Sequence, residues 1–152
     1  MDVSGIFNRY KVKIDGDKIF DPIRNHYVHM TPEEGVRQKT IKYLMQRLKV
    51  PQKKIIVERS LSSLGVPGNR KRIDIGVLGD DDLIMAVIEC KQALWNGENA
   101  YAQAQDYLET LNTRYFFVTD GRVIDGFFWN TLQFIRLENI PTYDQWCDYP
   151  KG

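Results

Sequence analysis

The sequence predicts an α/β fold of the α+β type, in which helices flank a central mixed β-sheet. Three observations predict this class. A strong helix start at residues 31–34 opens a stretch with helical periodicity. Two apolar runs within residues 72–91 flank a Gly-Asp-Asp-Asp turn, which is typical of a β-hairpin. A second helical pattern then leads to the almost wholly apolar run 115–119, which indicates a central strand.

The first thirty residues predict one small hairpin followed by a loop. Residues 10–14 alternate between polar and apolar side chains, Asp15 and Gly16 provide a turn, and residues 18–20 return. Residues 21–30 are predicted to form a loop that leads into the first long helix.

That helix is predicted to begin after Thr31. Thr31 can be the N-cap, Pro32 the first helical residue and Glu34 the third, which makes a capping box. Apolar side chains then recur at helical spacing at Ile41, Leu44, Met45 and Leu48. We expect the helix to end before Pro51, and the β-rich stretch 55–61 follows it.

The second half of the chain is expected to complete the sheet. A helix and a right-handed crossover should join the second hairpin strand to the strand at 115–119. Residues 123–129 and 132–137 are predicted to pair at an edge, and residues 140–146 to form a short capped helical turn. The prediction is one domain, 1–152, with an N-terminal extension (1–30), a core (31–137) and a C-terminal tail (138–152).

The composition is ordinary for a soluble globular protein. The chain has 152 residues, of which 43% are hydrophobic and 27% charged, enough for one domain with a sizeable core. Its net charge of +1 argues against a uniformly basic nucleic-acid binder but leaves room for a local basic patch. The chain contains no membrane-length apolar run and no signal-peptide pattern, and its two cysteines lack metal-binding spacing. We therefore expect a cytoplasmic protein with no membrane partner.

The central hairpin carries a group of ionisable residues. Asp74 lies in its first strand, and Glu89 and Lys91 end the second, where they share a face because side chains two apart point the same way. Such groups are costly to desolvate, so their convergence beside a core indicates a function. Mg²⁺ and Mn²⁺ prefer carboxylate and carbonyl oxygens, so the candidate ligands are Asp74, Glu89 and the backbone carbonyl of Cys90.

A metal site of this kind suits the hydrolysis of a phosphodiester. A bound ion can polarise a phosphate oxygen and lower the pKa of a bound water. Lys91 would then orient the attacking water and offset the growing negative charge, an electrostatic role rather than that of a general base. The acids at 80–82 are expected to form the hairpin turn, at the far end of the strands from Glu89.

These residues resemble a known nuclease motif. Asp74, a spacer and then Glu89-Cys90-Lys91 resemble the PD-(D/E)XK motif, although Ile73 replaces its proline. The second helix carries Gln103 and Tyr107 as Gln-x-x-x-Tyr, which resembles the RecB-like branch, and a spacing of four puts both on one helix face. The resemblance implies that these two side chains position the phosphate or the catalytic lysine.

A narrower resemblance covers roughly residues 19–145. The blocks 19–24, 31–38, 72–74, 88–91, 103–107 and 117–121 resemble, in order, the N-terminal nuclease domain of type I restriction enzyme R subunits. This resemblance implies a restriction-endonuclease-like fold and Mg²⁺-dependent cleavage of DNA. In the R subunit an ATP-driven translocase follows this domain. Because no Gly-x-x-x-x-Gly-Lys-Ser/Thr loop is present, we expect a free-standing relative.

Further candidate residues keep two interpretations each. The family often places a first-helix glutamate near the metal, so Glu33 is an additional candidate ligand, while the alternative is an exposed Glu33–Arg37 pair. Arg70, Lys71 and Arg72 are candidates for contacts to DNA phosphates, or form a solvated turn. Glu58, on the strand before the hairpin, is predicted to be a solvated or ion-paired strand residue.

The sequence therefore favours a metal-dependent deoxyribonuclease, with two alternatives left open. One is a catalytically inactive module with a vestigial site that binds nucleic acid or a protein partner, which the near-zero net charge suits. The other is a small subunit that is active only beside a separate motor or restriction subunit. An oligomer is possible in each case, because many nucleases of this fold dimerise to cut two strands.

Overall fold

Two β-sheets organise the described part of the chain. A computed structural model describes residues 1–91, 97–130 and 132–148, and of residues 97–101 it describes the backbone alone. The helices are α1 (Ser4–Phe7), α2 (Pro32–Gln46), α3 (Gly97–Leu111) and α4 (Tyr143–Cys147). The strands are β1 (Ile14–Asp15), β2 (Lys18–Asp21), β3 (His26–His29), β4 (Ile55–Ser60), β5 (Arg72–Leu78), β6 (Ile84–Cys90), β7 (Tyr115–Thr119), β8 (Ile124–Trp129) and β9 (Phe134–Leu137).

The larger sheet contains six strands in the order β4-β5-β6-β7-β8-β9. Neighbouring strands are antiparallel except β6 and β7, which run parallel with Glu89 beside Val118 and Cys90 beside Thr119. Parallel strands need a long connection, and α3 provides it. The predicted mixed sheet is thus confirmed, and β7 lies inside it.

Helices cover both faces of this sheet. Val87 and Ile88 are consecutive on β6 and point to opposite faces. Ile88 belongs to a buried cluster with Ile41 of α2 and Trp146 of α4. Val87 belongs to a second buried cluster with Tyr107 of α3. Elements on both faces therefore pack against the carboxyl-terminal half of β6.

The smaller sheet departs from the sequence prediction. It has the order β1-β2-β3, so the predicted loop 21–30 is wrong where His26–His29 forms β3. The predicted strand 10–14 is also wrong in extent, because β1 begins only at Ile14. Three of the four residues of β3 are exposed, so no alternation between buried and exposed side chains marks it as a strand.

Most other elements lie close to their predicted positions. Helix α2 begins after Thr31, and α4 carries a capping box formed by Thr142 and Gln145. The sequence does not predict α1, whose four residues are too few to show a helical period. No helix among the described residues is long and apolar enough to cross a membrane. The domain boundaries stay predictions.

Candidate active site

Strands β5 and β6 form an antiparallel hairpin, and Asp74 and Glu89 lie side by side at the end opposite its turn. We call this end the site end of the hairpin. Asp74 is 8% exposed and Glu89 is 6% exposed. The backbone N–H of Cys90 donates a hydrogen bond of 2.7 Å to Asp74 Oδ2, which ties the first strand to the end of the second. The structure thus buries two carboxylates at the carboxyl end of a central strand.

The backbone is irregular at this point of the sheet. On β4 and β5, Val57 pairs with Ile75 and Arg59 pairs with Ile73. Glu58 and Asp74, which lie between these pairs, are therefore opposite each other. Glu58 has a φ of 52°, in the left-handed region that a non-glycine residue rarely adopts within a strand. Ile73 and Ile75 pack in different clusters, although a regular strand would place both on one face. The local distortion accompanies the placement of both acids in the site.

The electrostatics of Glu89 are unusual for a glutamate. Burial first, and then the negative charge of the neighbouring Asp74, raise the pKa of Glu89 to about 8, while the positive charge of Lys91 opposes this shift. The buried Oε1 atom of Glu89 has no hydrogen-bond partner among the described residues. A buried carboxylate oxygen without a partner is rare in native proteins and indicates a missing ligand or proton.

Tyr107 lies in the same part of the site. Burial first, and then the charge of Glu89, raise the pKa of Tyr107 well above its ordinary value. The Tyr107 hydroxyl is buried and faces the Glu89 carboxylate closely enough to lower the pKa of Glu89 as a hydrogen-bond donor, although no hydrogen bond of standard geometry joins it to a described residue. Its ring stacks on Phe116, with centroids 5.4 Å apart. A buried donor, the Tyr107 hydroxyl, and a buried acceptor, the Glu89 carboxylate, thus face each other in the site.

Arg37 is a site residue that the sequence interpretation missed. It is 3% exposed, and its Nη2 atom donates hydrogen bonds to Glu58 and, over 3.2 Å, to Asp74 Oδ1. Its Nη1 atom lies 2.5 Å from Glu34 Oε1. Burial lowers the pKa of Arg37, but the charges of Glu34, Glu58 and Asp74 outweigh it and raise the pKa. The sequence predicts Arg37 as one half of an exposed pair with Glu33, but the structure shows a buried cation at the centre of the site.

The predictions for the three glutamates around Arg37 agree with the structure to different degrees. Glu33 is about half covered and lies 3.9 Å from Arg37 Nη2. This partial burial and the charge of Asp74 raise the pKa of Glu33, so Glu33 pairs with Arg37 and also faces the site. The capping-box interpretation of Glu34 is wrong in one half. The Glu34 N–H donates to Thr31 Oγ1 at 3.0 Å, but its carboxylate binds Arg24 and Arg37. The partners of Glu58 are Arg37 and Arg72.

Lys91 and Gln103 lie beside these groups with weaker contacts. Lys91 follows β6 directly, and its N–H donates to the Thr119 carbonyl at 2.8 Å, which fixes the backbone at the strand end. Its ammonium acts on Glu89 through charge and forms no ion pair with a described residue. Gln103 lies on α3 one turn before Tyr107, and its amide makes no hydrogen bond to Glu89 or Lys91 in the described structure.

The basic segment at residues 70–72 borders the site. Lys71 Nζ lies 4.4 Å from the centroid of the Tyr107 ring, in cation–π geometry. Arg72 Nη1 lies 4.0 Å from Glu58 Oε2. Arg70 is exposed, like Lys71 and Arg72. The segment is therefore both solvated and in contact with Tyr107 and Glu58 at the border of the site.

The residues present fit one divalent ion that keeps several waters. No group of three or more His, Cys, Asp or Glu side chains in metal-binding geometry occurs in residues 1–91, 97–130 and 132–148. Two carboxylates, one with an oxygen that lacks a partner, nevertheless match the way in which Mg²⁺ uses few protein ligands and several waters. Asp74 already accepts hydrogen bonds from Arg37 and Cys90, so an ion would share this carboxylate with the guanidinium.

Comparison with known proteins gives one family match. The family model described as the N terminus of the type I restriction enzyme R protein matches residues 32–141. The matched range runs from the first residue of α2 to beyond β9, and it includes Arg37, Asp74, Glu89, Lys91 and Tyr107. No curated protein matches the chain.

Proposed function

The chain belongs to the family of type I restriction enzyme R protein N-terminal domains, and from this premise we propose that it is a metal-dependent DNA endonuclease domain of the PD-(D/E)XK type. The observation that carries the proposal is the pair of buried, adjacent carboxylates Asp74 and Glu89, with a Glu89 oxygen that lacks a partner. A raised pKa of Glu89 means that the site, without a cation, keeps a proton there. A site that requires a cation has this property.

The proposed roles follow from the positions of the side chains. Asp74, Glu89 and the backbone carbonyl of Cys90 would hold one Mg²⁺ or Mn²⁺, with Glu33 at the rim. When bound, the ion supplies polarisation of a phosphate oxygen and a more acidic water. Lys91, which is charged and lacks an ion pair with a described residue, would orient the attacking water and stabilise the developing negative charge.

Gln103 and Tyr107 support the same chemistry from α3. The Tyr107 hydroxyl can donate a hydrogen bond to a phosphate oxygen or to Glu89, because it faces the Glu89 carboxylate and forms no hydrogen bond of standard geometry with a described residue. Gln103, one turn away on the helix, can hold a second phosphate oxygen or the Lys91 ammonium. The six-stranded mixed sheet, with helices on both faces, supports the proposal of a restriction-endonuclease-like fold.

Membership of this family suggests DNA and other subunits of a restriction complex as partners. Arg70, Lys71 and Arg72 are the proposed contacts to DNA phosphates, since they are exposed and border the carboxylates. A separate motor or restriction subunit is the second proposed partner.

An inactive module is the second candidate function, and one observation favours it. Arg37 already occupies one face of Asp74, and a protonated Glu89 would leave the acid pair stable without any metal. A domain in this state can still bind DNA or a partner through its exposed basic segment.

Cleavage assays separate the two functions. Supercoiled plasmid and single-stranded DNA are incubated with Mg²⁺ or Mn²⁺ and the wild-type chain, Asp74→Ala or Lys91→Ala. The nuclease predicts cleavage by the wild type and its loss in both variants. Lys53→Ala and Asp82→Asn, which change exposed residues at or near the turn of the hairpin, serve as controls and should cleave normally. Equal activity in wild type, Asp74→Ala and Lys91→Ala would contradict the proposal.

A further inference from the structure

Arg37 and the acids around it suggest how many metal ions the site holds. We infer that the buried guanidinium of Arg37 takes the place of a second cation and so limits the site to one divalent ion. This inference rests on the proposed metal-dependent function and gives a structural reason why the site would hold a single ion. It assigns to Arg37 a positioning role that neither the family match nor the sequence motif provides.

The contacts of Arg37 are those that a second metal ion would need. Its two terminal nitrogens contact Glu34, Glu58 and Asp74, and Glu33 lies 3.9 Å away. In sites with two metal ions the ions are about 3.5–4 Å apart and act on the same reaction centre. Arg37 Nη2 lies 3.2 Å from Asp74 Oδ1 and donates to it. A second ion bound by Asp74 on that side would displace the guanidinium.

The charges that are already paired point the same way. Glu34 and Glu58, the other two carboxylates on Arg37, also pair with Arg24 and Arg72. Asp74 and Glu89 are the buried acids beside which a divalent ion would lie, and a second ion on the Arg37 side would place two more positive charges against a buried guanidinium.

An arginine side chain supplies a permanent positive charge beside these acids, which a reversibly bound ion does not. A guanidinium does not lose its charge at any physiological pH, and its planar fork of donors holds several carboxylates in fixed directions. Arg37 is also part of α2, which packs on the core through Ile41 and Leu44. The cation is therefore present before any metal binds, and it keeps Asp74 aligned with the end of β6.

Metal titration of the full chain tests the inference. Isothermal titration calorimetry with Mn²⁺ in the absence of DNA should give one ion bound per wild-type chain. Two ions per chain would overturn the role of Arg37 but leave the proposed nuclease intact. No bound ion would contradict the metal-dependent function itself, and the inference with it.

Variants of Arg37 sharpen the test. Arg37→Gln removes the charge and should open the acids to a second Mn²⁺, which raises the stoichiometry from one to two, whereas Arg37→Lys keeps a cation and should stay at one. Arg47→Gln, an exposed position just past the end of the same helix, is the matched control and should also stay at one. Circular dichroism checks that each variant is folded. A folded Arg37→Gln chain that binds one ion would contradict the inference. If that variant does not fold, the number of ions bound per wild-type chain is the test, and two ions would contradict the inference.

Discussion

The β5–β6 hairpin carries acidic side chains at both ends, and the two ends differ in burial and in hydrogen bonding. At the turn, Asp82 is exposed and lies 2.6 Å from Lys54 Nζ, and Asp81 accepts a backbone hydrogen bond within the turn. At the site end, Asp74 and Glu89 are buried, and Glu89 Oε1 lacks a partner in the described structure. Exposed acids whose oxygens are solvated or hydrogen-bonded form the turn. Buried acids with a carboxylate oxygen that lacks a hydrogen-bond partner can bind a ligand.

The largest expected effect is the loss of cleavage in Asp74→Asn. The amide keeps the shape of the side chain but removes the charge that would hold a divalent ion, so we expect DNA cleavage to fall by on the order of 10³-fold. Plasmid nicking rates measure this loss. The matched change at the other end of the hairpin, Asp82→Asn, should leave the rate within about twofold of the wild type. Similar losses in both variants would remove the distinction between the two ends.

The second effect concerns folding stability. Arg37→Ala leaves several carboxylates without their buried cation, so the free energy of unfolding should fall by about 3 kcal/mol or more. Urea denaturation followed by tryptophan fluorescence measures it. Lys54→Ala breaks the ion pair at the exposed turn and should leave the free energy of unfolding nearly unchanged. A stable Arg37→Ala protein would mean that the acids at the site do not depend on this cation.

The elements of the hairpin and the sheet were predictable from local pattern. The apolar runs of β5, β6 and β7 show their burial directly in the sequence, and the turn acids show where the hairpin reverses. Register then brings Asp74 beside the end of β6, because two strands joined by a short turn have few alignments. Strand β3 was not predictable in this way, because its exposed side chains leave no period.

The role of Arg37 depends on tertiary structure that local pattern does not contain. Its partners lie on α2, β4 and β5, and the contact between Glu58 and Arg37 spans 21 residues of chain. Glu58 also requires a left-handed backbone, which no glycine or turn signal announces. One signal was available. Position 37 lies four residues before Ile41 and seven before Leu44, so an arginine occupies the apolar face of the helix. A charge on such a face indicates a buried partner.

The third prediction concerns pH and needs no catalysis. The pKa of Glu89 is about 8 in the folded metal-free protein and about 4.3 in an unfolded chain. The folded state therefore binds more protons than the unfolded state between these values, so the free energy of unfolding should decrease as pH rises from about 4.3 to about 8. Urea denaturation at a series of pH values in EDTA measures this decrease.

Glu89→Gln and Mn²⁺ provide the controls for the pH prediction. The glutamine variant lacks the titrating group, so its stability should decrease less over the same range. Mn²⁺ binds the deprotonated carboxylate, so the stabilisation that it provides should grow with pH. Parallel pH profiles of wild type and Glu89→Gln would show that the Glu89 carboxyl does not couple to folding.

The smallest expected effect separates the basic residues at the two ends of the hairpin. Lys71 Nζ lies over the Tyr107 ring at the site, whereas Lys53 is exposed near the turn. If DNA lies across the site, Lys71→Ala removes about one phosphate contact, which lowers the affinity several-fold and reduces the slope of log K against log salt by about 1. Fluorescence anisotropy with a labelled duplex, in Ca²⁺ or EDTA to prevent cleavage, measures both quantities. Lys53→Ala has the same change in net charge and should leave the slope unchanged. An equal fall in slope for both variants would mean that the DNA does not distinguish the site end of the hairpin from the turn.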